Sequence, residues 1–255
     1  MPTLDPNREL DEFIVRSNSS HERYIRVFDA LVDSTDASNL RKGLAVDAAF
    51  RLGSEWELFQ HRWHVACIAR DGSRLIAEQE SKVADAISKL PTATREVLGV
   101  TAGHLSLSRL TGSQIERLVH PLDRNVVFPD VAAWSRVAKR YLAPPYVGRV
   151  QRIQSSIESS SLLDLLKALR NAIAHGSRDS KGRLNRLASA RVAGGTEGLA
   201  GNRNAPLVRA KYGIADIGTY LHTWTGLPGY RTFAEGNRMT LIHDRTQDIA
   251  KALRV

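Results

Sequence analysis

Arg170, Asn171 and His175 stand within six consecutive residues, and Gly176 follows at once. An arginine grips a phosphate through a planar fork of donors, and a histidine exchanges a proton near neutral pH. Phosphate binding and proton transfer are the two needs of metal-free phosphodiester cleavage. Leu162, Leu165, Leu166, Leu169 and Ile173 recur at three- and four-residue steps, so the spacing predicts one amphipathic helix that ends at Gly176. At about 100° per residue, Asn171 and His175 fall roughly 40° apart, with Arg170 about 140° from His175. None of the three lies in the Leu/Ile stripe, so all are free to meet a ligand.

The rest of the chain reads as the frame that holds this helix. A helix is expected over 9–33, with Asn18-Ser19-Ser20 as its weak point. The longest follows over 40–70, where Leu52, Trp56, Phe59, Trp63, Ala66 and Cys67 form an apolar stripe. Another runs over 73–89 and is stopped by Pro91. Short helices are expected near 94–103 and 113–119, then longer ones over 130–141 and 146–156. Past His175, residues 178–183 read as a polar turn and the glycine-rich 193–206 as a flexible loop. Residues 207–225 read as a helix, 238–242 as a short strand and 244–253 as a final helix.

The pattern Arg-Asn-x-x-x-His at a helix end, trailed by glycine, resembles the signature of the HEPN superfamily. Gly53-Ser54-Glu55-Trp56-Glu57-Leu58-Phe59 is similar to the Trp-Glu-x-Phe helix early in HEPN proteins of the RiboL-PSP type. Counting the helices that carry them, the two segments cover about a third of the chain, in the family's order. The resemblance implies an all-α helical bundle over 1–180. The remainder, 181–255, exceeds what a minimal HEPN domain needs, and is expected as an extension packed on the bundle that can hold a short β-hairpin.

The resemblance also implies a metal-independent endoribonuclease of toxin or antiphage systems. It would act as a homodimer with a composite cleft, with no cofactor and with an antitoxin or other defence partner. Arg170, Asn171 and His175 become the catalytic residues. Glu57 joins them, placed to orient His175 or to hydrogen-bond Arg170. The alternative is a non-catalytic RNA-binding or scaffolding module of the same fold. A helical adaptor that binds no RNA is a third reading.

Composition agrees with a nucleic-acid partner. The net charge is +9, and Arg178, Lys181 and Arg183, with Arg186, follow the motif directly, where they suit RNA phosphates. The single Cys67 excludes an intrachain disulfide and, with no signal peptide or membrane span in view, fits a cytoplasmic protein. Its place in the apolar stripe makes it a packing residue rather than a nucleophile. Glu57, His61 and His64 are spaced to meet one metal ion, yet His-Glu-x-x-His is absent and no fourth ligand is evident. No metal is expected there. Gly194-Gly195-Thr196-Glu197-Gly198 lacks the Gly-Lys-Ser/Thr ending of a phosphate loop, and no Gly-x-Ser-x-Gly elbow supports a serine triad.

Overall fold

The computed structural model describes residues 4–98, 111–119, 128–189, 198–209 and 213–255. The fold is all-α. The helices are α1 (Pro6–Ala30), α2 (Ala37–Arg70), α3 (Ser73–Ser88), α4 (Thr92–Leu98), α5 (Gly112–Val119), α6 (Val131–Tyr141), α7 (Pro144–Ser155), α8 (Ile157–His175), α9 (Arg178–Leu187), α10 (Ile217–His222) and α11 (Arg238–Lys251). No strand occurs among the described residues; Trp224 and Asn237 make an isolated antiparallel bridge. No helix among them is long and apolar enough to cross a membrane.

Helix α2 is the axis. Leu52, Trp56, Phe59 and Trp63 are buried, and from Trp63 to Ile68 every residue is buried. Its aromatic side chains key the neighbouring helices together. Phe13 of α1 stacks on Phe59 at 4.7 Å, Trp134 of α6 meets Trp63 edge-on at 6.1 Å, and Tyr146 of α7 meets Trp63 at 6.4 Å. Each such pair adds about 0.5–1.5 kcal/mol beyond the area it buries.

The caps explain where the helices begin and end. Asp5 accepts from the Asn7 amide ahead of Pro6, and Asp130 accepts from Ala133 N at the start of α6. Ser156 does the same for α8 through Ser159 N, and Gly176 ends that helix at φ 59°, a left-handed conformation that suits glycine. The expected weak point in α1 is absent. Ser17 donates back to Phe13 O at 2.7 Å and Ser20 donates to Glu55 of α2 at 3.1 Å, so these hydroxyls have partners and the helix runs on.

Three expectations past His175 need correction. Residues 178–183 are not a turn but the start of α9, capped by Ser177 on Ser180 N and seated by buried Leu184. The expected boundary at residue 180 therefore falls inside a helix. Among the described residues of 207–225, the helical parts are the end of a 3-10 turn (Ala205–Leu207) and the short α10. Residues 238–242 are the first turn of α11 rather than a strand, because Asn237 caps Thr240 N and its amide donates to the buried Tyr24 hydroxyl at 2.8 Å. Of the loop expected over 193–206, residues 198–206 are described and form turns that lead into the 3-10 turn, while 193–197, and with them most of the phosphate cradle, lie outside the described residues, as does the end of the helix expected over 94–103. Buried Tyr220, Leu221, Leu241, Ile242 and Leu253 share one core with Leu10 and Trp56.

Tyr220 gives a test of how α10 is held. Its hydroxyl donates to Leu207 O at 2.6 Å, and burial raises its phenol above the ordinary value of about 10. A raised folded-state pKa means stability that is full below pH 10 and lost as pH rises through the folded value. Tyr220→Phe should cost about 1 kcal/mol at pH 7. The gap between wild type and variant should close above pH 10 in chemical denaturation, and a gap constant with pH counts against this account.

Candidate active site

The site is built where α8 crosses α2. A Cβ on Gly53 would stand 2.7 Å from Arg170 Cβ and 3.1 Å from Arg170 Cγ, so the crossing exists only because position 53 has no side chain. On the α2 side Glu57 lies one turn further along. Its carboxylate accepts from Lys167 Nζ at 2.5 Å, and its other oxygen lies 3.6 Å from Arg170 Nε. That second contact is an ion pair rather than a hydrogen bond. Arg170 Nη1 donates to Asn171 Oδ1 at 3.2 Å, and the guanidinium lies 5.8 Å from the Phe50 ring centre.

The electrostatics follow from burial. Side-chain exposure is 19% for Glu57, 13% for Lys167 and 27% for Arg170, so the three charges interact through a medium less screening than water. One carboxylate faces two cations, and the group keeps a net positive charge. Arg170 is hydrogen-bonded at Nη1 and drawn by charge to Glu57, its buried Nε makes no hydrogen bond among the described residues, and the side chain stays partly open to solvent. That is the arrangement for presenting a guanidinium to an anion without paying to order it at the moment of binding.

His175 is exposed in the last turn of α8, five residues and about 7.5 Å along the axis from Arg170. It makes no side-chain hydrogen bond or ion pair among the described residues. Glu57 thus contacts Lys167 and Arg170 and leaves the imidazole alone. Directly after it, Arg178 and Lys181 are exposed on α9, and Arg183 is partly committed to Pro129 O at 3.1 Å.

Sequence reasoning missed two residues. Lys167 is the closest partner of Glu57, and its signal was present: Lys167, Asn171 and His175 repeat every four residues on one face. Phe50 is a large apolar side chain left 38% exposed, with its ring centre 5.8 Å from the Arg170 guanidinium. The alternative metal triad is dispersed. His61 Nε2 lies 2.9 Å from Glu116, His64 is buried against Phe128, and Glu57 faces α8.

Gly53→Ala tests the crossing. The new methyl meets the root of the Arg170 side chain, which cannot swing away, and overpacking of this kind costs about 1–3 kcal/mol. Alanine recovers about 1 kcal/mol of helix propensity. A net loss on the order of 1 kcal/mol is expected in urea denaturation, and a gain in stability would mean that α8 is not seated here.

No family model, curated protein or solved structure matches this chain.

Proposed function

We propose that the protein is a metal-independent endoribonuclease that cleaves by attack of a ribose 2′-hydroxyl, working as a cytoplasmic toxin or antiphage effector. The observation that carries this reading is the positively charged C-terminal half of α8. There a partly exposed Arg170, paired with Glu57, and an exposed His175 lie about 7.5 Å apart along the axis and about 140° apart around it, flanking the face that carries Asn171. The resemblance of Arg170-Asn171…His175 and Trp56-Glu57…Phe59 to HEPN motifs points the same way.

In this reading Arg170 binds the scissile phosphate and stabilises the extra negative charge of the transition state. Asn171 and Glu57 hold the guanidinium in place, and Lys167 holds Glu57. The 2′-oxygen forms a bond to phosphorus and gives its proton to a neutral His175. The bond from phosphorus to the 5′-oxygen breaks, and that oxygen takes a proton from a second, protonated His175. The second histidine comes from a second copy paired by two-fold symmetry, which makes the cleft composite. The products are a 2′,3′-cyclic phosphate and a 5′-hydroxyl. Arg178, Lys181 and the free part of Arg183 carry flanking phosphates, and an antitoxin or other defence partner would restrain the activity.

A second reading rests on the place of His175 in the last helical turn, where a histidine also serves as a cap for helix-end carbonyls. The protein is then a non-catalytic RNA-binding or scaffolding module.

One assay separates the two. Total RNA is incubated at 25 °C with the protein in excess EDTA, with circular dichroism confirming that the chain is folded. Discrete cuts with cyclic-phosphate ends are expected. His175→Ala and Arg170→Ala should each lower the rate at least about 100-fold, with the melting temperature of His175→Ala unchanged. RNA that is bound but intact would favour the second reading. Light scattering at micromolar concentration should give twice the 28.2 kDa chain mass, and a monomer would remove the composite cleft.

A further inference from the structure

Far along the chain from the α8 motif, α1 and α11 bring together a second chemical grouping. His21 of α1 and His243 and Asp244 of α11 each offer one ligand atom, and these atoms all lie within 4.8 Å of one another. The two imidazoles are nearly parallel, 10° between planes with centroids 4.0 Å apart. That is closer than the about 4.5–7 Å of ordinary aromatic pairs.

The hydrogen bonding leaves specific atoms uncommitted. His243 Nδ1 lies 3.1 Å from Asp244 Oδ1, and the Tyr230 hydroxyl donates to Asp244 Oδ2 at 3.0 Å. His243 Nε2 and His21 Nδ1 are both buried and have no hydrogen-bond partner among the described residues. The His243 side chain is only 7% exposed, so its Nε2 bears the desolvation cost of an unsatisfied polar atom. Two orphaned imidazole nitrogens, on stacked rings of which one meets at its other nitrogen a carboxylate held by a phenol, offer metal ligands with a supporting shell. Both histidines also line a cavity of about 140 Å³ among α1, α2 and α11, together with Ser17, Ser20 and Glu55 and the cations Arg23 and Arg51, which leaves room for a water.

We propose that His21, His243 and Asp244 bind a divalent transition-metal ion of the zinc class that ties α1 to α11. Two imidazole nitrogens and one carboxylate oxygen suit zinc over magnesium or calcium, which prefer all-oxygen shells. Because the nitrogen lone pairs lie in the ring planes, ligation turns the imidazoles out of their parallel stack and draws the donor atoms to about 3.3 Å from one another, the spacing set by tetrahedral bonds of about 2.0–2.1 Å. The cavity side supplies the fourth position, as water. The ion is a clasp between two helices distant in sequence and takes no part in chemistry at α8.

The test uses the full chain, stripped by a chelator and dialysed, then titrated with Zn²⁺ alone. One equivalent should bind, and a hundred-fold excess over Kd should raise the melting temperature by about 5–10 °C. His21→Gln and His243→Gln should bind at least tenfold more weakly and lose that rise. Should either variant fail to fold, Co²⁺ added to the wild type reads the same site. Visible absorption of four-coordinate intensity, abolished by one equivalent of Zn²⁺, is expected. The proposal is overturned by no melting shift with Zn²⁺, by equal binding in the glutamine variants, which would move the ion to residues such as His61 and Glu116, or by a six-coordinate cobalt spectrum.

Discussion

The structure depends on the burial of α2. A helix with one wet face needs neighbours on one side only, whereas this one is buried around its whole circumference from Trp63 to Ile68. It must therefore be enclosed, and α1, α5, α8, α10 and α11 all touch it. Each neighbour's apolar face is answered by a different part of α2. Phe13 meets Phe59, Trp134 meets both Trp56 and Trp63, and the stem of Arg170 lies over Gly53. The position of the charged cluster is a consequence of this enclosure, because Glu57 rides on the helix against which α1, α8 and α10 are packed.

That placement gives one carboxylate an unusual role. Glu57 lies at a half-buried seam and is outnumbered by Lys167 and Arg170. Were the seam fully dry, the desolvation of three charges would outweigh their attraction; were it fully wet, salt would screen them and the arginine would wander. The intermediate burial keeps Arg170 beside Glu57 by charge, with Nη1 on Asn171, while part of the side chain stays reachable. A rigid core thus reaches the surface through a single side chain.

Much of this was legible in the sequence, for identifiable reasons. Helix α8 announced itself because its leucines keep strict three- and four-residue steps and a serine and a glycine bracket it. The α2 stripe was readable through Trp56, Phe59 and Trp63. Helix α9 was not, because Gly182 and its run of charges outweighed the Ser177 cap and the lone anchor Leu184. Residues 238–242 looked like a strand because the Asn237 cap draws its strength from Tyr24, a contact no local pattern can contain. The same limit hid the histidine pair. It arises from the docking of α11 on α1, also marked by the Gln247–Ser17 bond across 230 residues of chain. Lys167 shares a face with Asn171 and His175, but its pairing with Glu57 depends on the crossing of α8 over α2, which that local spacing does not contain.

The missing side chain at position 53 has a consequence in evolutionary terms. Because a side chain at 53 and the stem of Arg170 would compete for the same space, neither position drifts without cost. A lineage that acquires a larger residue at 53 has to shift α8 and the residue at 170, and loosens the outer of the two cations at the seam. Among descendants that keep the arginine, glycine is the residue favoured at position 53. The two positions are therefore expected to covary, and together they form a two-letter filter that sorts related chains into those that retain the charged seam and those that have lost it.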